Sequence, residues 1–247
     1  MNRALAVLAL SVFALSASAE DLTITYKSSD GGTSTSYFSK DRIRMNTAKS
    51  DTILEFTTGK IINIDNQKKE YSEMTIAEID EAMKAASAQM EQAMANVPPQ
   101  MREKMAGMMG GAGADATVTK GATQTIAGYP CQTWTISMGA TMTQETCNST
   151  ALTPPFDVTN FQKLSRISIP MMQGMDKMFK KMAEIQGISL MHHTTMSMMG
   201  RKNDTSSEAT EIKKGAIPAD AFAVPAGYKQ VESPMKKMGK AGGPRPR

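Results

Sequence analysis

Between residues 21 and 74 apolar and polar side chains alternate in short runs broken by tight-turn chemistry, a pattern that an antiparallel sheet satisfies and a helix does not. Leu22, Ile24 and Tyr26 alternate with Thr23, Thr25 and Lys27, Asp30-Gly31-Gly32 supplies a turn, and residues 33–38 resume the alternation. Residues 41–45, 52–56, 61–64 and 70–74 continue it, with turns at Thr58-Gly59-Lys60 and Asp65-Asn66-Gln67. The spacing predicts one antiparallel meander with a wet face and a buried face.

The period then changes. Thr75 and Glu78 make a capping box, Met74 is placed to staple onto Ile79, and Ile76, Ile79, Met83, Ala86, Met90 and Met94 recur at three- and four-residue steps. That predicts an amphipathic helix, interrupted at Pro98-Pro99. Met101, Met105, Met108 and Met109 follow on a short turn before the connector Gly110-Gly111-Ala112-Gly113.

Strands return at 117–126, 131–137 and 141–147. A hairpin centred on Gly139 sets Cys131 opposite Cys147, which predicts a cross-strand disulfide. With no CxxC pair, its expected role is a staple and not redox chemistry. Pro170 opens a second amphipathic helix with Met171, Met175, Met178, Met182 and Ile185 on one face and Gly187 as its cap. Residues 188–199 and 206–213 read as a final strand pair.

The first 19 residues carry one charge at Arg3, an apolar run from Ala4 to Leu15 and a small-residue Ala17-Ser18-Ala19 exit, the pattern of a cleaved signal peptide. The mature chain is expected to be soluble and exported, periplasmic or secreted. Two cysteines suit that compartment. Residues 20–232 are expected to form a single domain, and 233–247, rich in Gly, Pro and charge, a disordered basic tail. Taking Arg3 and the tail's Lys236, Lys237, Lys240, Arg245 and Arg247 from the 28 Lys and Arg leaves 22 against 24 Asp and Glu. A body this close to neutral is a poor nucleic-acid partner.

Ala127-Gly128-Tyr129-Pro130-Cys131, the run from Ser207 to Ile212, and Ile217-Pro218 followed by Phe222-Ala223-Val224-Pro225-Ala226-Gly227-Tyr228 together resemble an uncharacterised family of exported bacterial domains. That family is related in fold to lipoprotein and lipid carriers of the LolA and LppX type. The resemblance implies an α+β fold: a strongly curved antiparallel sheet, an incomplete barrel with helices over its concave face. It also implies non-catalytic binding of a lipid or lipidated partner, with no cofactor.

Three functional classes can be set against the residues. Methionine is abundant, at 23 residues, and unbranched thioethers repack readily around apolar partners. Met83, Met90, Met94, Met175, Met178 and Met182 could line an apolar groove between helices and sheet, or simply fill a core. Met191-His192-His193 with Met196, Met198 and Met199 offers soft ligands for copper or silver. Alternation, however, puts His192, Met196 and Met198 on one side and His193 on the other, and spreads His192 and Met198 roughly 20 Å along the strand. Catalysis is not expected, since no GxSxG, HExxH, P-loop or dinucleotide motif occurs. The basic tail is expected to touch an anionic membrane surface only weakly. The function expected is therefore apolar-ligand binding, with soft-metal binding by His192, His193, Met196 and Met198, or a structural or protein-interaction role, as alternatives.

Overall fold

The computed structural model describes residues 20–47, 49–95, 97–98, 116–139, 142–158, 180–198 and 201–236. Among them lie twelve strands in one open sheet and one long helix. The first six strands are β1 (Leu22–Ser28), β2 (Thr33–Phe38), β3 (Arg42–Asn46), β4 (Ser50–Glu55), β5 (Lys60–Asp65) and β6 (Glu70–Thr75). Helix α1 (Ile76–Ala95) follows. Then come β7 (Ala116–Ile126), β8 (Tyr129–Met138), β9 (Met142–Ser149), β10 (Ile188–Met198), β11 (Arg201–Lys214) and the short β12 (Lys229–Gln230).

Two antiparallel meanders, β1 to β6 and β7 to β11, join where β11 pairs with β1, and β12 adds to the far edge parallel to β6. Local chemistry explains the turns. β7 and β8 are joined by Ala127 and Gly128 at φ 49° and 82°, a two-residue link with both central residues left-handed, whose twist matches that of the flanking strands.

The ladders fix which residues share a face. Leu22 faces Phe38, Phe38 faces Ile43, Ile43 faces Leu54, Leu54 faces Ile61 and Ile61 faces Met74, giving one apolar row across six strands. The sheet curls toward this face. Tyr26, also on it, reaches past β11 to donate its hydroxyl to the Ser189 carbonyl at 2.8 Å, and burial pushes its phenol pKa up. Lys214 on β11 sits 5.5 Å over the Tyr129 ring on β8. The main core gathers in the bend: Leu22, Ile24, Tyr26, Ile126, Leu152, Ile188 and Leu190 with both cysteines.

The opposite face of β3 to β5 is not wet, which corrects the reading of that part of the meander. Ile53, Ile62 and Ile64 project there and are buried under Phe222, with Ile217, Ala221, Val224 and Tyr228 packed around them. The closing segment is thus a strap over the back of the first meander. Alternation alone cannot reveal it, because the strap's own residues supply the apolar cover from about 160 positions away in sequence.

The capping box forms as expected: Thr75 N–H donates to Glu78 at 2.8 Å and Glu78 N–H to the Thr75 hydroxyl at 3.2 Å. The disulfide joins Cys131 to Cys147 with Cα atoms 5.4 Å apart, but the hairpin register differs from the expected one. Met138 faces Met142 and Thr133 faces Cys147, so the hairpin is centred on residue 140 and the bridge runs diagonally. Of the helices expected over the concave face, the described residues hold α1, which packs beside β6 and buries Ile79 near its start; they do not show the concave face covered. Residues 1–19, 101–109 and most of the second methionine helix lie outside the described residues. So do residues 237–247. Of the tail, 233–236 is packed, with Ser233 buried.

Candidate binding groove

A groove of about 760 Å³ opens on the inner face of the sheet at its β6 edge. Its floor is Met74, where the six-strand apolar row ends, with Asn63 and Ser72 beside it; these two face each other across β5 and β6. Ile79 from the first turns of α1 forms one wall. Val231, Pro234 and Met235 form the other.

The second wall is held by the chain crossing the sheet edge. After the strap on the back face, Lys229 N–H donates to the Lys69 carbonyl at 3.0 Å and Val231 N–H to the Tyr71 carbonyl at 2.8 Å. The chain then emerges on the inner face, where Lys236 pairs with Glu78 at 2.7 Å. Lys236 and the Thr75 N–H together hold the Glu78 carboxyl below its usual range. One carboxylate therefore caps α1 and ties down the C-terminal segment.

Charged side chains rim the groove on the sheet side: Lys49, Asp65, Lys68 and Glu70. Asp65 accepts from Lys68, through its backbone and its ammonium, which lowers the carboxyl's pKa. Neither histidine nor cysteine lines the groove, so it offers no imidazole or thiol for general-base or nucleophilic work. Its chemistry is that of an apolar slot with a zwitterionic rim.

Of the six expected groove methionines, the two whose side chains are described do not line it. Met83 is half-buried on α1 and Met182 is exposed, neither against this cavity. The side chains of Met90 and Met94, and all of Met175 and Met178, lie outside the described residues. The lining that matters was hidden from sequence reading because Val231 to Met235 straddles the start of a stretch expected to be disordered.

The histidines separate as alternation requires. His192 faces Thr146 and Ser207 and lines a polar hollow of about 430 Å³ with Thr194, Thr205, Ser28 and Asp30. Burial holds its pKa below the ordinary value. His193 points the other way and lies 3.5 Å from Asp204, whose carboxyl is lowered chiefly by Thr195 and then by Lys202. Met196 faces Asn203, four residues along the strand from His192. The described members of the expected metal cluster do not converge. Among the described residues no helix is long and apolar enough to cross a membrane.

Comparison with solved structures gives distant likenesses. PNGF-II is 14% identical with a TM-score of 0.43, over 91% of this chain and 33% of its own. An uncharacterized conserved protein from Thermus thermophilus is 6% identical with a TM-score of 0.43, over 87% of this chain and 91% of its own. A chain of the Pseudomonas aeruginosa MucA/MucB complex is 12% identical with a TM-score of 0.37, over 84% and 56%. This chain thus spans a third of PNGF-II and about half of the MucA/MucB chain, and likenesses of this size say nothing about function. No curated protein matches the sequence. A family described as a domain of unknown function, DUF4412, matches residues 21–228, which takes in both meanders and the strap, and the chain belongs to that family.

Proposed function

We propose that this is an exported, non-catalytic binding protein whose ligand is an apolar or amphiphilic molecule, a lipid or the lipidated end of a partner protein. The ligand is taken up in the groove between β5, β6, the start of α1 and residues 231–235. The observation that carries this reading is the apolar row from Leu22 to Met74 running into a cavity of about 760 Å³. Ligand sites of roughly 300–1,000 Å³ with apolar lining and a few polar groups are typical. Each methylene buried there contributes about 0.8 kcal/mol, so an acyl chain gains affinity without a strong polar anchor. The mixed charges of Lys49, Asp65, Lys68 and Glu70 suit a polar headgroup left at the rim. The fold relationship between the family this chain's motifs resemble and the lipid carriers supports the same class.

The test is to purify the protein from its native host compartment, extract it for lipid analysis, and titrate it with a fluorescent fatty acid. A copurified lipid and saturable probe binding are expected. Met235→Glu, which puts a charge in the wall, is expected to weaken the probe by about tenfold, a loss of ~1.4 kcal/mol. Absence of both lipid and probe binding, or equal binding by the variant, ends the reading.

A further inference from the structure

Strands β8, β9 and β10 carry a row of methionines at their shared end. Met138 faces Met142 in one ladder, and Met142 faces Met196 in the next. Facing residues project from the same side of the sheet with Cβ atoms about 4.5–5.5 Å apart. Three thioethers therefore stand side by side across three adjacent strands. The spacing is tighter than any available along one strand, where same-side neighbours are about 6.5–7 Å apart.

We propose that Met138, Met142 and Met196 form a soft-metal site that takes Cu(I), with Ag(I) as its redox-inert equivalent. Met196, which alternation sets on the same side of its strand as His192 and Met198, has methionine neighbours across the strands. Neutral thioether sulfur favours a soft monovalent cation, whereas hard divalent cations prefer oxygen. Each methionine has three rotatable bonds between backbone and methyl, so the outer two can lean over Met142 to bring three sulfurs onto one ion. The row is accessible: Met138 and Met142 are half-buried, and Met196 is 40% exposed. Val118 and Ile136, on the same face of the sheet as Met138, cluster with it and give that end of the row an apolar neighbour. The site is separate from the groove, which lies at the other end of the twelve-strand order.

Thioethers have no proton to lose on binding, which separates this site from any that uses imidazole. The experiment is an anaerobic Cu(I) titration against a competing chromophoric chelator at pH 7 and pH 5, repeated with Ag(I). One equivalent is expected to bind more tightly than micromolar, with the same affinity at both pH values. The near-isosteric variant M138L/M142L/M196L is expected to weaken binding at least tenfold while keeping its circular dichroism; Met142→Leu alone, the central ligand, serves if the triple variant fails to fold. His192→Gln is expected to leave binding unchanged. Wild-type binding no tighter than micromolar, full affinity in the leucine variants, or affinity lost at pH 5 overturns the proposal.

Discussion

Arg44 on β3 and Asp51 on β4 form a buried ion pair with nitrogen and oxygen 2.5 Å apart, and this pair fastens the strap to the sheet. Arg44 also donates to the carbonyls of Ala221 and Ala223 at 2.8 and 2.9 Å. The other Asp51 oxygen accepts from Asn66 at 3.0 Å, and Asn66 in turn accepts from the Tyr228 hydroxyl at 3.2 Å. A charge pair between adjacent strands thus reaches both ends of the Ala221 to Tyr228 segment. Phe222 fills the space between, edge-on to Tyr37 and 4.6 Å beneath the Arg42 guanidinium.

Removing one member of this pair leaves an uncompensated charge, so Arg44→Met is expected to cost about 3–5 kcal/mol. Arg44→Met combined with Asp51→Leu is expected to cost less than the single change, because no lone charge stays buried. Urea denaturation of the single and double variants measures this. Equal loss in both would show that the strap is held by Phe222 packing alone.

The Cys131–Cys147 bridge closes a short loop, with a sequence separation of 16. Cross-linking a loop of that length is worth about 3 kcal/mol by loop-closure entropy. The double Cys→Ala variant is expected to lose about that much in denaturant unfolding. Retention of wild-type stability would mean that the β8–β9 pairing holds itself in register without the bridge.

What the residues disclose before folding is mostly local. Thr75 and Glu78 announce the helix start because a capping box is a contact three residues long. The alternation of Leu22, Ile24 and Tyr26 announces a strand for the same reason. The disulfide partners were legible, but the register was not: a shift of the hairpin centre from 139 to 140 moves each facing partner by two residues and leaves every side chain on its own face, so alternation is blind to it. Arg44 carries no local sign of burial, since its partners at Ala221 and Ala223 lie far along the chain. The groove wall at Val231 to Met235 was likewise invisible, since a tail rich in Gly, Pro and Lys gives no sign that Glu78 will anchor Lys236.

Gly187 holds the entry to β10 at φ 90°, where a Cβ would lie against the Ser149 carbonyl oxygen, far inside van der Waals contact. The obstacle is backbone, so it cannot swing aside as a side chain would. The φ alone costs a non-glycine residue about 1–3 kcal/mol, and the clash adds to it. Gly187→Ala is expected to lower the urea midpoint by more than Gly31→Ala, which has a similar φ of 83° but open space around its Cβ position. Equal effects of the two substitutions would show that β10 shifts freely against β9.

His192 should make stability depend on pH between neutral and mildly acidic conditions. Burial lowers the folded imidazole's pKa, while the unfolded one titrates near 6.5. As pH falls through about 6.5 the unfolded chain takes up a proton that the folded chain does not, so stability declines. The decline stops once pH drops below the folded pKa, where both states carry the proton. The lowered carboxyls of Asp65, Glu78 and Asp204 act in the same direction but further down, as pH falls below the unfolded carboxylate range of about 4. His192→Gln is therefore expected to flatten the change in urea midpoint between pH 7.5 and pH 5. An unchanged slope in His192→Gln would mean that the polar hollow around Ser28, Thr194 and Ser207 accepts the imidazolium without penalty.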